Sequence, residues 1–416
     1  MTNRLAYLLY QLSVVFYVAV IHLAGWWKHK AKLMVDGRKN WKRNLNEQLK
    51  AIDKPIIWFH CASLGEFEMA RPIIEHIRGK QKNAILITFF SPSGYEIRKN
   101  YNDADIIIYL PFDIGHQARD FVSLIKPTKA FFVKYELWLG YLAALNKNNV
   151  DTYLIGAHFR PNGVYFKWYG GIYRKALQAL KLIFTQTQTD IVLLQKHHIH
   201  NGVCAGDPRY DRVWQNAQKK KENTAVANFV GNRVCIILGS SYTPEEQIAA
   251  DALSTLPDHV CLIVAPHEVN ETRIAEIEST FSAYPTIRYS AINKTAAVNK
   301  VLIIDNIGML ADTYQYAQFA FVGGGFGIKG LHNILEALAM GCYVMVGPRN
   351  HERFPEATEA IHAGVASVVD THKLLISTIS SLISITSSFV YLKEQSIQFV
   401  SKRSGASKTI IHKTGS

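Results

Sequence analysis

IIWFHCASLGEFEMARPIIEHIRGK, residues 56–80, passes from six apolar or β-prone residues through a glycine turn into a stretch with apolar side chains at helical spacing. A short apolar run without alternation predicts a strand buried on both faces, as in a parallel sheet covered by helices. The segment from Glu66 onward predicts a helix. The same unit recurs downstream. AILITFF (84–90), IIIYLPF (106–112), KAFFV (129–133), TYLIGA (152–157) and KLIFT (181–185) are predominantly apolar, and patterns such as IGHQARDFVSLIK (114–126) lie between them. A polar, charged stretch, QNAQKKKENTAV (215–226), interrupts the series. A second series then begins with RVCIILGS (233–240), HVCLIVAP (259–266), KVLIIDN (300–306), FAFVGGG (319–325) and YVMVG (343–347).

Two strand–helix series predict an α/β protein of two Rossmann-like, doubly wound domains. Their expected limits are 51–214 and 231–370, joined by a linker over 215–230, with 1–50 preceding them. The Ser/Ile/Leu-rich tail, 371–416, is expected to return to the first domain as helix. Open sheets of this kind bind ligands beyond the carboxyl ends of their strands, so the active site is expected in a cleft that the two domains face.

The composition of the 416 residues agrees: 48% hydrophobic and 19% charged residues exclude disorder. Lys+Arg 46 against Asp+Glu 33 leave a net charge of +13, which suits an anionic partner: nucleic acid, acidic membrane or phosphorylated substrate. Five scattered cysteines, without a Cys-x-x-Cys pair, argue against a disulfide framework or a structural zinc site. Cys204, Cys235 and Cys261 sit in apolar runs and are expected to be buried thiols in a reducing cytoplasm.

From Leu5 to Trp27 the chain reads LAYLLYQLSVVFYVAVIHLAGWW, without a formal charge. About 20 such residues span a bilayer as a helix, although a helix lying in the interface would serve equally. Trp26 and Trp27 suit the membrane–water boundary. Residues 28–50 then carry eight basic side chains against Asp36 and Glu47. Positive flanks remain cytoplasmic and attract anionic lipid, so 1–50 is expected to anchor the body of the protein at the cytoplasmic face of a membrane.

Several motifs carry chemistry. Ser63-Leu64-Gly65-Glu66 follows the first strand, which places Glu66 in the first turn of a helix, available as a general base. Lys134-Tyr135-Glu136-Leu137-Trp138 and Gly206-Asp207-Pro208-Arg209-Tyr210-Asp211 likewise follow strands. Gly325, Gly327 and Gly330 spell G-x-G-x-x-G, but no Asp or Glu closes the next strand, which argues against a dinucleotide cofactor. A helix opening at Leu331 would present free N–H groups to phosphate and carry Asn333 and Glu336 near its start, placed to bond ribose hydroxyls. Asp103-Ala104-Asp105 matches the D-x-D pattern of metal-dependent sugar transferases but lies among polar residues and reads as a solvated loop. His197, His198 and His200 lack a carboxylate or thiol at ligand spacing, and no metal site is expected. No recognisable nucleic-acid module is present either, and the positive charge is concentrated beside the apolar segment.

The order of motifs is specific: HxxSxGE from His60, TxxSPxG from Thr88, YLPFD from Tyr109, ELW from Glu136, GxxRYD from Gly206, GSS with Glu245-Glu246, AP-H at 265–267, GGGF from Gly323, GxHNxLE from Gly330, and GP at 347–348. In this order, after an apolar amino terminus, the chain resembles the bacterial 3-deoxy-D-manno-octulosonic acid (Kdo) transferases over about residues 5–360. The resemblance implies a GT-B fold, CMP-Kdo as donor, the lipid A precursor (lipid IVA) as acceptor, inversion at the anomeric centre, and anionic lipids of the inner membrane as surroundings. It implies no cofactor and no nucleic acid. It assigns Glu66 as the base, Glu136 and Arg209 as transition-state stabilisers, and Pro266, His267, Ile307, Gly308, Met309, Asn333, Ile334, Leu335 and Glu336 to CMP. The chain departs from the family pattern in places. Pro266-His267 stands where many members have Pro-Arg-His. Leu331 and Ile334 replace a glycine and a proline, Tyr135 a proline, and Arg209 a lysine, the last keeping the charge but changing the donor geometry. The alternatives are a GT-B enzyme using a UDP-sugar, a nucleic-acid-binding protein and a dinucleotide-dependent oxidoreductase.

Overall fold

The computed structural model describes residues 3–292, 298–327, 330–383 and 386–416. The chain divides into two units, Met1–Arg212 with Ser404–Ser416, and Val213–Arg403. Each is built on a seven-stranded sheet whose strand pairs are all parallel.

In the first unit the strands are β1 Ile56–Cys61, β2 Ala84–Phe89, β3 Ile106–Tyr109, β4 Lys129–Val133, β5 Asp151–Ala157, β6 Leu182–Thr185 and β7 Gly202–Cys204, in the order β3-β2-β1-β4-β5-β6-β7. Every residue of β1 and β2 is buried, which explains their unbroken apolar sequence. Alternate side chains serve opposite faces. Trp58 packs with Phe121, Phe132 and Tyr141 on one side, whereas Ile57 and Phe59 join Phe131 and Tyr153 on the other. In the second unit β8 Val234–Ser241, β9 Val260–Pro266, β10 Thr286–Arg288, β11 Val301–Ile303, β12 Phe319–Val322, β13 Tyr343–Val346 and β14 Ala366–Val368 follow the order β10-β11-β9-β8-β12-β13-β14. The three-residue edge strands β10 and β14 are not announced by any apolar run, because an edge strand covers less core. In the first sheet the chain builds outward from β1 to β3 and then crosses to β4; in the second it runs from β8 through β9 to the edge at β10, returns to β11 and then crosses to β12. The switch points fall between β1 and β4 and between β8 and β12.

Four sequence expectations change. The stretch over 215–230, expected as a linker without periodicity, is largely helical: Pro208–Gln218 and Thr224–Val230 are helices, the latter capped by the Asn223 side chain and buried through Val226, Phe229 and Val230. The tail divides. The helices His372–Ile383 and Thr386–Ser401 belong to the second unit, where Leu375 and Ile379 join its core, and Ser404–Ser416 alone lies in the first. There, buried Asp211 accepts from the backbone N–H groups of Gly405 (2.7 Å) and Ser407 (3.1 Å). Cys204 is exposed, since β7 is the sheet's edge, whereas Cys235 and Cys261 are buried.

The fourth change concerns residues 1–50, which are built into the first unit. In the helix Asn3–Ala24, Tyr10, Val14, Val18 and Ile21 form one stripe that is buried with Phe112 and Leu139. The Tyr10 hydroxyl donates to Asp113 Oδ2 (2.6 Å) and accepts from the Leu139 N–H (3.2 Å), while the Gly140 N–H donates to the same carboxylate oxygen (2.8 Å). A Cβ at Gly140 would lie 1.9 Å from Asp113, so this close approach requires glycine. Arg38, counted among the lipid-seeking charges, is buried. Its guanidinium donates to the carbonyls of Met34, Phe90 and Leu110 and packs on the rings of Phe90, Tyr109 and Phe112.

Candidate active site

In the first unit the switch point gathers charged groups from the ends of β1 and β4. Glu66 occupies the first turn of the helix Leu64–Lys80, directly after β1, where its carboxylate accepts from the Ala62 N–H. Burial, and next the negative charge of Glu136, push its pKa up to about 8, against the opposing pull of the Ala62 N–H and Lys134. A carboxyl held near neutrality at a strand end has the proton affinity of a general base.

Glu136, directly after the Lys134–Tyr135 turn that follows β4, is held from two sides. The Trp138 indole N–H donates to its Oε2 (2.7 Å), and His60 Nε2 lies 3.3 Å from the same oxygen. His60, fully buried in β1, places Nδ1 2.9 Å from Thr88 Oγ1, which also accepts from the Trp58 indole (2.9 Å). His60 thus bridges the Thr88 hydroxyl and the Glu136 carboxylate, while the Thr88 hydroxyl also lies 3.4 Å from the Phe59 carbonyl, to which it donates. His60→Ala leaves Thr88 and Glu136 without their shared partner and opens a cavity in the sheet. We expect a loss of about 2–4 kcal/mol, read by chemical denaturation.

Arg209 heads the helix Pro208–Gln218 and donates from Nε (2.9 Å) and Nη2 (2.7 Å) to Asp207 Oδ2. Tyr135 lies within the electrostatic reach of both Arg209 and Glu66. Glu66 and Glu136 are therefore close enough to interact, and Arg209 shares their electrostatic surroundings through Tyr135. His60, Thr88 and Asp113 were not singled out from sequence. Their signal was available as the first or last letter of HxxSxGE, TxxSPxG and YLPFD.

In the second unit the corresponding switch point carries an aromatic cluster. Pro266 ends β9, and the His267 N–H donates to the Ser241 carbonyl (3.1 Å). The His267 ring lies 4.5 Å from that of His332 and 5.1 Å from that of Tyr242, whose hydroxyl is 3.0 Å from His332 Nε2. Beneath them, Glu245, its pKa raised by burial, accepts from the Gly324 N–H (2.8 Å) and the Tyr242 N–H (3.2 Å). Tyr242 and His332 are additions to the residues expected from sequence.

Ile307, Gly308 and Met309 follow β11; Ile307 is 86% exposed and Gly308 takes a φ of +99° that favours glycine. The expected helix from Leu331 is corrected. It spans only Leu335–Ala339, and just ahead of it the Asn333 side chain accepts from the Leu335 N–H (3.1 Å). A helix of little more than one turn supplies only a small dipole at its amino terminus. Asn333 also donates to Glu336 (3.1 Å), whereas the Ile334 and Leu335 side chains are buried and leave only backbone groups toward a ligand. Ile328 and Lys329 of the glycine-rich segment lie outside the described residues. Asp105 of the D-x-D sequence is structural: it bonds Arg78 (2.6 Å) and the Ile85 N–H (2.7 Å). Among the described residues, no group of three or more His, Cys, Asp or Glu side chains is placed to hold a metal ion.

Comparison with known proteins adds to this geometry. Residues 38–212 match the family model described as 3-deoxy-D-manno-octulosonic-acid transferase (kdotransferase). The chain is similar to a bifunctional glycosyltransferase/methyltransferase of Fusobacterium nucleatum (25% identity, 79% of this chain), of which it spans about half the length, 53%. It is also similar to the 3-deoxy-D-manno-octulosonic acid transferase of Aquifex aeolicus, at 26% identity over 72% of this chain and 78% of that one. Among solved structures, a UDP-GlcNAc 2-epimerase from Neisseria meningitidis shares the fold, with a TM-score of 0.61 at 16% identity over 86% of this chain and 98% of that one. Two all-parallel Rossmann-like sheets of GT-B type, a match to the Kdo-transferase family model over residues 38–212 of the first unit and relatives at about a quarter identity over most of the length make the chain similar to the glycosyltransferases of the Kdo transferase family.

Proposed function

We propose that the protein transfers Kdo from CMP-Kdo to the lipid A precursor, lipid IVA, with inversion and release of CMP, at the cytoplasmic face of the bacterial inner membrane. The observation that carries this reading is Glu66: a carboxyl at the β1–β4 switch point with a pKa of about 8, beside a second carboxylate. An inverting transfer needs one base and no covalent intermediate. Ionised Glu66 takes the proton of an acceptor hydroxyl as its oxygen bonds the anomeric carbon of Kdo, and the bond from that carbon to the phosphate of CMP breaks. Arg209 and Glu136, by the family resemblance, stabilise the charge that develops, with Glu136 positioned by Trp138 and His60. Loss of one such preorganised electrostatic contact typically costs about 3 kcal/mol, roughly a hundredfold in rate. Pro266, His267, Ile307, Gly308, Met309, Asn333, Ile334, Leu335 and Glu336 hold CMP, and the tyrosine–histidine cluster extends that surface.

An acylated, phosphorylated acceptor accounts for both the apolar amino terminus and the cationic flank. The deciding experiment incubates purified protein with CMP-Kdo and lipid IVA and reads product masses and CMP release. Growth of the acceptor by Kdo units with equimolar CMP is the expected result. Turnover with UDP-N-acetylglucosamine, and none with CMP-Kdo, would replace this reading by a UDP-sugar transferase.

A further inference from the structure

The helix Asn3–Ala24 is long and apolar enough to cross a bilayer, with a mean hydropathy of 1.8 over Leu5–Ala24. Its packing argues for another orientation. From Tyr10 to Ile21, about 16 Å of helix at 1.5 Å per residue, one stripe is buried against the first unit and tied to it at Asp113. Gln11 adds two bonds, donating to the Asp113 carbonyl (3.2 Å) and accepting from the Gly115 N–H (3.2 Å). A helix crossing the membrane would have to give up these contacts, or carry the polar face of the sheet domain into hydrocarbon. The opposite stripe, Leu8, Leu12, Phe16, Val20 and Leu23, is open, with Phe16 72% exposed. Trp26 and Trp27 end it, also exposed, followed by Lys28, Lys30 and Lys32.

A second exposed aromatic pair stands nearby. Ile172, Tyr173 and Ala176 of the helix Gly171–Ala179 pack against the amino-terminal helix, with the Tyr10 and Tyr173 rings 6.4 Å apart. The loop entering that helix carries Trp168, 84% exposed, and Tyr169. Between the two elements lies a pocket of about 230 Å³ lined by Tyr10, Glu136, Trp138, Val164, Tyr165 and Tyr173.

We propose that the amino-terminal helix lies flat in one leaflet of an anionic bilayer with its Leu8–Leu23 stripe inserted, and that the Trp168–Tyr169 loop enters the same leaflet as a second contact. The occupant is a lipid surface because an apolar stripe on the helix Asn3–Ala24, interfacial tryptophans in the turn after it and lysines at the start of the next helix, His29–Asp36, follow one another in sequence, the features of an interfacial anchor. The arrangement puts the pocket beside Glu136 between two inserted elements, so a lipid-borne acceptor reaches it without leaving the membrane. This inference rests on the membrane association proposed above, but its test needs no acceptor and no turnover.

Nitroxide labels are placed singly at positions 8, 14, 16, 23 and 168 in a Cys204→Ser background, the other four cysteines being buried. The full chain is bound to vesicles of phosphatidylethanolamine and phosphatidylglycerol. Paramagnetic collision rates then give depth. The expected result is one shallow depth for positions 8, 16 and 23, protection of position 14 from both lipid and water, and position 168 at headgroup level. Replacing Trp168 and Tyr169 together by serine is expected to weaken vesicle binding about tenfold. A depth that runs through the bilayer centre from position 23 to position 8, with position 14 facing lipid, would overturn the proposal in favour of a spanning helix. Free exposure of position 168 to water would remove the second contact. Spin–spin coupling between copies without vesicles would reassign the stripe to a dimer interface. Absence of vesicle binding would instead defeat the membrane association itself, leaving the transfer reaction to be judged by its own assay.

Discussion

Glu66→Gln is expected to lower kcat by about 10²–10⁴-fold, the usual contribution of a positioned base, while CMP binding by calorimetry stays at the wild-type level. Glutamine keeps the shape and can still accept from the Ala62 N–H, but it cannot take a proton. Wild-type-like turnover would remove Glu66 from the chemistry. The wild-type pH profile is a second reading of the same group. Its pKa of about 8 leaves roughly a tenth of Glu66 ionised at pH 7. On the acid side, kcat/KM is therefore expected to rise about tenfold between pH 7 and 9, and this limb is absent from the residual activity of the glutamine variant.

The same shift has a stability consequence of opposite sign to the usual carboxylate. The folded state holds this proton more tightly than the unfolded chain, raising the pKa from 4.5 to about 8. The stabilisation is fully present below pH 4.5 and is lost as pH rises through 8. Glutamine carries no such penalty. The variant is therefore expected to melt above the wild type at pH 8.5, with the difference closing toward pH 4.5, as followed by thermal scans. Lower stability of the glutamine variant at both pH values would show that Glu66 is a structural group.

Removal of residues 1–27 is expected to unfold or aggregate the first unit rather than to yield a soluble enzyme. The deletion strips Tyr10, Val14, Val18 and Ile21 from a shared core and bares Phe112 and Leu139. Each fully buried side chain contributes about 1.5–3 kcal/mol, so four approach the whole stability of a domain, about 5–15 kcal/mol. Asp113, its pKa already raised by burial, also loses the Tyr10 hydroxyl. The informative variant is Phe16→Glu with Val20→Glu on the open stripe. It is expected to keep the circular dichroism and melting temperature of the parent while leaving washed membranes. A truncated protein that melts like the full chain would refute the packing argument.

The second half of the sequence was less legible than the first. HxxSxGE and the strand before it point to Glu66 at once, because a strand, a glycine turn and a helix leave few places for the carboxylate. No comparable constraint told Tyr242 and His332 apart from ordinary polar residues of their motifs. They meet only because β8 and β12 are neighbours across a switch point. The length of the helix near Asn333 was also hidden, since an Asx turn and a helix start share the same residue type. His60 lay in plain view within an apolar strand, yet its role depends on Thr88 and Glu136, which lie 28 and 76 residues away in sequence.

By itself the sequence determined the two strand–helix series, the position of Glu66 after β1 and the apolar amphipathic start, because all three follow from local periodicity and turn chemistry. Only the tertiary structure decided which face of the first helix is buried, where the tail divides between the units, and which carboxylate raises the pKa of Glu66. Those outcomes depend on groups far apart in the chain meeting in a low-dielectric interior, where burial and pair charge act over a few ångströms and sequence spacing carries no information.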